Sequence, residues 1–351
     1  MMHWAIAVML AVSTPGTELP VPEDVMAVPP ELRAELHERV IGKGHTEQQR
    51  LDLLIDFVFG EHGLALTYGA ETTQTATQTY RSGKVNCLSF SLLFVALARE
   101  AGLRADLQEI GQALVWYKQG GNIYASSHVN VGVRIGGHVR TVDVSRTTVI
   151  ARHRPKLISD RRALAHFYNN RGAELMAAGE RDAAGRHMRL AMELDPAFPS
   201  SWNNFGVLNL RNDDLAAAER AYAATLALDP VHSAALFNII VLYQRLGDQK
   251  RVAEFQRRLE KAQLADPFHQ FLLAMEYESR GDYARAAGHY RRAIRLHGHE
   301  GLFHFGLART YFAMGDDRRG KRSLARANAL SDDDTRDLYQ ARLQRTRPGE
   351  E

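Results

Sequence analysis

The sequence predicts an α+β domain followed by an all-α solenoid of short repeats. Three observations carry this. Two period-two runs flank Gly136-Gly137, an apolar helix-like segment opens at Cys87, and small residues recur every 34 positions from Gly179 onward.

The chain has 351 residues, of which 45% are hydrophobic and 24% charged. That composition is ordinary for soluble globular proteins, and the length fits two or three domains. The 44 basic and 41 acidic residues leave a net charge of +3, and no lysine-arginine block or basic-aromatic stripe appears. No nucleic-acid partner is therefore expected. Arginine far outnumbers lysine, which reads as the base composition of a GC-rich bacterium. A single cysteine excludes an intramolecular disulfide and a Cys-rich zinc site. Neither GxxxxGK[ST] nor HExxH occurs, so no metal or other cofactor is expected.

Trp4 to Val12 (WAIAVMLAV) is an apolar run, followed by small residues at Ala11-Val12-Ser13 and then Pro15-Gly16. It reads as a short secretory segment, too short to span a bilayer, which takes about 20 apolar residues. Export to a bacterial periplasm or cell envelope is the expectation, and no transmembrane span is expected elsewhere. Residues 14–30 (TPGTELPVPEDVMAVPP) read as an extended linker, so that 1–30 form a leader and linker.

The α+β domain is expected over 31–150. Glu31 to Val40 and Gln48 to Gly60 read as helices, the second with Leu51, Leu54, Ile55 and Val58 on one face. The Thr/Gln-rich stretch Glu71 to Tyr80 reads as a solvated surface segment. Gly83-Lys84-Val85-Asn86 breaks the chain before residues 87–102 (CLSFSLLFVALAREAG), a buried helix ending at Gly102. Arg104 to Ile110 and Ala113 to Tyr117 read as two strands, with a turn at Gly120-Gly121. His128 to Ile135 (HVNVGVRI) and His138 to Ser145 (HVRTVDVS) alternate around Gly136-Gly137, which predicts a hairpin.

Repeats are expected over 161–345. Gly179, Gly247, Gly281 and Gly315 share one lattice, with Asp213 at the remaining point. Ala184, Ala218, Val252, Ala286 and Gly320 share a second, and Ala191, Thr225, Leu259, Ala293 and Ala327 another. Leu175, Tyr243, Tyr277 and Tyr311 share one more, broken by Asn209. Asp195-Pro196, Asp229-Pro230 and Asp266-Pro267 punctuate repeat ends. A 34-residue period with a small residue between two helices resembles the tetratricopeptide repeat. About five repeats fit residues 165–334. Each helix pair needs its neighbours to bury its apolar face, and such arrays offer an extended groove to a peptide or protein. The first repeat has Asn169 and Ala173 where a lysine clamp for chaperone tails would stand, so no chaperone-tail binding is expected. From Asp332 the chain is polar and reads as a solvating cap and frayed tail.

Cys87 opens its helix with Asn86 in the N-cap position. Free N–H groups and partial positive charge at a helix start favour thiolate over thiol and can hold an oxyanion. With a two-residue turn, Ile135 faces His138, and counting outward pairs Asn130 with Asp143. His128 and Asp143 are then diagonal neighbours on one face, where an aspartate can orient an imidazole. Val129, Val131 and Val133 point the other way, into a core. His138, Glu61, His62, His297 and His299 read as non-functional.

A cysteine at a helix start, then HVNV on one strand and VDVS on the next, resembles the transglutaminase-like superfamily over roughly residues 45–148. The phrase NCLSFSLLFVALAREAGLRA looks much like that family's cysteine helix. The resemblance implies a papain-like core with Cys87 as nucleophile, His128 as general base and acid, and Asp143 as the orienting carboxylate. Two positions depart from the family: Val129 stands where an aromatic is frequent, and Val144-Ser145 where a proline is common. Gln78 and Tyr80 are the candidates for a second oxyanion donor. The implied chemistry is acyl transfer on a peptide or protein amide, with hydrolysis favoured over cross-linking by analogy. The competing expectation is a non-catalytic adaptor that uses the repeats to bind protein.

Overall fold

A computed structural model of the chain describes residues 17–69, 72–116, 123–144, 148–151 and 155–331, with 335, 336 and 339. Two compact units emerge. One runs through Glu109 and resumes over Val129–Arg146 and Pro155–Asn238; the other takes Ile110–His128, Thr147–Arg154 and the chain from Ile239.

The first unit opens with α1 (Pro22–Val25) and α2 (Pro30–Leu36), each with proline in its first turn, where the missing N–H has no helical partner to lose. Helix α2 passes into a π-helical turn, His37–Ile41. Residues 17–28 do not behave as a bare linker: Val25 and Val28 are buried in the core, and the Tyr168 hydroxyl donates to the Pro20 carbonyl at 2.6 Å. The proline-rich composition concealed the two valines that anchor it. Helix α3 (Glu47–Phe59) starts with a capping box between Thr46 and Gln49.

Strand β1 (Thr67–Tyr68), helix α4 (Ala76–Ser82) and strand β2 (Lys84–Val85) follow, with β1 and β2 paired in parallel. Here the expectation of a solvated segment fails. Thr73, Thr75 and Thr79 are buried, because Thr75 and Gln78 form a second capping box and α4 packs on α5 (Cys87–Glu100). In α5 every residue from Leu88 to Ala98 is buried, and Gly102, at φ 72°, closes the helix as expected.

The sheet has β5 (His138–Val142), β4 (Ile123–Ile135), β3 (Arg104–Trp116) and β6 (Thr148–Ala151) in that order, with β7 (Lys156–Leu157) also on β3. Strand β3 is continuous where two strands were expected; Gly111-Gln112 interrupts the hydrophobic pattern without ending the extended backbone. The expected turn at Gly120-Gly121 and the apolar run 4–12 lie outside the described residues.

Five helix pairs follow: α6 (Asp160–Ala177) with α7 (Arg181–Leu194), α8 (Pro199–Arg211) with α9 (Leu215–Leu228), α10 (Ser233–Leu246) with α11 (Gln249–Leu264), α12 (Pro267–Ser279) with α13 (Tyr283–Leu296), and α14 (Gly301–Ala313) with α15 (Asp317–Ala329). They match the 34-residue lattice, and the geometry explains it. Gly179, Asp213, Gly247, Gly281 and Gly315 all have positive φ, at 89°, 65°, 73°, 77° and 75°. Each lets the next N–H turn back to the carbonyl of Leu175, Asn209, Tyr243, Tyr277 or Tyr311 at 2.9–3.0 Å, a Schellman closure. The aspartates that follow, Asp214, Asp248, Asp282 and Asp316, then cap the second helix of their pairs.

The lattice of small residues in the second helices is buried throughout, with Gly320 as its last member. A Cβ on Gly320 would meet the Phe312 ring at 2.6 Å, which accounts for glycine there. The expected polar tail is corrected in one respect: Tyr339 is buried and stacks on Phe305 with centroids 4.1 Å apart. No helix among the described residues is long and apolar enough to cross a membrane.

The core of the first unit runs from the α+β region into α6 and α7 through Ala163, Phe167, Tyr168 and Ala191. A charged clasp reinforces it. Arg162 bonds Glu109 at 3.2 Å and Asp195 at 3.0 Å, and lies over the Phe198 ring. Burial raises the Glu109 carboxyl, but His166, at 3.5 Å in ionic rather than hydrogen-bonding range, and Arg162 outweigh it and hold the carboxyl at about 2.

Candidate functional site

Cys87 stands where the sequence placed it, half-buried as the first residue of α5. Asn86 is the N-cap: its Oδ1 accepts from Ser89 N at 2.8 Å. The capping asparagine is itself held. Its Nδ2 donates to Thr73 Oγ1 at 3.1 Å, while Gln74 N donates to Ser89 Oγ at 2.8 Å. The first turn of α5 is thus pinned by residues 72–75, a segment whose polarity gave no hint of burial.

A hydrogen-bonding side chain that the sequence did not indicate lies beside the thiol. Tyr68 pairs with Val85 across β1 and β2, and its hydroxyl lies 3.6 Å from Cys87 Sγ. The two-residue parallel pair that brings them together is too short to leave a periodic signal. Of the two candidates for a second oxyanion donor, Tyr80 gives its hydroxyl to Glu35 at 2.7 Å, and Gln78 Oε1 accepts from Thr75 N in the capping box. Tyr80 is committed elsewhere and does not fit that role.

The hairpin has the expected register. Gly136 and Gly137, at φ 56° and 85°, make the two-residue turn, and the ladder pairs Ile135 with His138, Gly132 with Thr141 and Val131 with Val142. The ladder ends there, and Asp143 is the residue just past the end of β5. Strand alternation puts His128, Asn130 and Gly132 on one face and Val129, Val131 and Val133 on the other. All six are buried, the valines as expected. The histidine face is tight: a Cβ on Gly132 would meet the Gln108 amide and Leu157 at 2.9 Å. Asn130 Oδ1 is buried there with no hydrogen-bond partner among the described residues, a state that costs about 1–3 kcal/mol.

The structure therefore brings Cys87 to a capped helix start beside Tyr68, and carries His128 on β4. The boundary between the compact units falls between His128 and Val129. His138, His62, Glu61 and His299 are exposed.

In the repeats, side-chain amides form a chain across the first helices of three successive pairs. Asn238 Nδ2 donates to Asn203 Oδ1 at 3.0 Å, Asn203 to Asn204 at 3.2 Å, and Asn204 to Asn169 at 3.0 Å. Asn169 and Asn203 are buried; Asn204 and Asn238 are half-exposed. An amide has two donor hydrogens and two acceptor sites, so the bonds along the chain use half of Asn204's capacity.

No protein-family model matches the chain, and no curated protein matches it. The transglutaminase-like resemblance thus rests on this chain's own residues. Among solved structures, the chain is similar to MamA from Desulfovibrio magneticus RS-1, with 17% identity over 49% of this chain and 96% of that one, TM-score 0.28. It is similar to MamA of strain MSR-1, with 16% identity over 47% and 95%, TM-score 0.26. It is also similar to YrrB, described as a TPR protein with an unusual peptide-binding site, with 15% identity over 51% and 92%, TM-score 0.27. At these scores the likeness carries no argument about function, and the repeats stand on their own five helix pairs and lattice.

Proposed function

We propose that the protein is a protein-interaction scaffold whose repeats hold a peptide or protein segment. The amide chain from Asn238 to Asn169 carries this reading. Buried helix contacts are ordinarily apolar, and side-chain amides with capacity left over match the donors and acceptors of an extended peptide backbone. Titrating the full chain with a fluorescent random-peptide library, and then with the sequences it selects, tests this. Binding at micromolar or tighter affinity that weakens in Asn204→Ala at unchanged Tm is expected. Equal binding by wild type and variant would remove the amide row from the function.

A second reading is supported by one specific observation, that Cys87 sits at an asparagine-capped helix start, with His128 on β4 and Asp143 just past β5 as its candidate partners. On this reading Cys87 attacks an amide or ester carbonyl, His128 protonates the leaving amine, and water resolves the thioester, with Asp143 orienting the imidazole. The repeats then present the substrate. An electrophilic peptide probe that labels wild type and not Cys87→Ala supports it, as does slower alkylation by iodoacetamide in His128→Ala. A thiol that reacts only after unfolding would leave the scaffold alone. Export to the cell envelope belongs to the same proposal, and N-terminal sequencing of the natural protein decides it.

A further inference from the structure

Two charged residues occupy lattice positions in the first repeat. At the position of Arg171 the other repeats carry Phe205, Ile239, Leu273 and Leu307; at that of Glu174 they carry Leu208, Leu242, Glu276 and Thr310. Within α6 the pair is closed by an Arg171–Glu174 bond of 2.7 Å, and both residues are mostly buried. Glu174 also accepts twice from Thr73, from its N–H and its hydroxyl, each at 2.8 Å. Thr73 is 2% exposed, and its hydroxyl oxygen accepts from the Asn86 amide. That same amide supplies the carbonyl that caps α5 at Ser89.

We propose that Glu174, oriented by Arg171, is a positioning residue for Cys87, so that the first repeat sets the thiol's surroundings through Thr73 and Asn86. This rests on the reading of Cys87 as a reactive thiol. A carboxylate is suited to the task because one oxygen accepts both Thr73 donors while the other takes the guanidinium. With the Thr73 hydroxyl proton directed at Glu174, its lone pairs face Asn86, which fixes the Asn86 amide with its oxygen toward Ser89 N. A partner that shifts α6 on binding the array then changes the reactivity of a cysteine it does not touch. Arg171 stands where every later repeat is apolar, and the packing supplies the reason: α6 packs on α5, where the first helix of each later pair follows another pair.

The test is the rate of Cys87 alkylation by iodoacetamide against pH in the full chain, with amide hydrogen exchange at Ser89 as a second readout. Glu174→Ala and Thr73→Val are expected to slow alkylation about three- to ten-fold, the size of a lost helix cap, and to speed exchange at Ser89. Glu174→Gln and Thr73→Ser keep the accepting oxygen and the hydroxyl and stay within about two-fold of wild type. Thr73→Val leaves every charge in place, so matching effects in it and Glu174→Ala separate positioning from electrostatics. Wild-type behaviour in both overturns the proposal, as does faster alkylation in Glu174→Ala with Thr73→Val unchanged. If the wild-type thiol reacts only on unfolding, the thiol reading falls, and Ser89 exchange alone decides whether Glu174 holds the cap.

Discussion

Helix α5 packs on α4 just before it and on the more distant α3 and α6, and its cap depends on Thr73 and, through it, on Glu174. Helices α8 to α15 close on partners within one or two repeats, with the same turn and the same aspartate cap recurring. The difference lies in the range of the contacts. In the array a defect is confined to neighbouring repeats, whereas in the α+β region it loosens a core that continues into the first repeat.

Substitutions at matched places sharpen that contrast. The largest effect is expected at the clasp: Arg162→Ala leaves Glu109 and Asp195 without their shared cation and should cost about 3 kcal/mol, read by urea unfolding. An accompanying acid effect follows from Glu109. Its carboxyl is held at about 2 against an ordinary 4.5, so its contribution is complete above 4.5 and is lost as pH falls toward 2. The Tm gap between wild type and Glu109→Gln should close over that window; a gap independent of pH would show that the charge does not stabilise the fold.

Next in size is Gly206→Ala in the array. A Cβ there would lie 2.5 Å from the ring of the fully buried Tyr222, and overpacking of this kind costs about 1–3 kcal/mol. Hydrogen exchange should show the loosening concentrated in α8 and α9. Loosening spread evenly over the chain would break the comparison. Asn86→Ala should cost about 1 kcal/mol through the lost cap and expose the start of α5 to exchange. The smallest effect is a gain. Asp213 is the non-glycine member of the left-handed lattice, and Asp213→Gly relieves that backbone for up to about 1 kcal/mol in thermal unfolding.

The amino-acid order alone determined what depends on neighbours along the chain. The repeat lattice was legible because a residue with positive φ closes the first helix of every pair at a spacing of 34 residues, and Asp213 was legible as its fifth point. The hairpin register followed from Gly136-Gly137, and the cap on Cys87 from Asn86. Only the tertiary structure decided that Tyr68 stands beside the thiol, that Thr73 is buried, that Val25 and Tyr339 are anchors, and that Glu174 turns toward the α+β region. Each of those rests on isolated contacts between segments apart in sequence. One contact leaves no period in the sequence, so its free energy is visible only once the chain has folded.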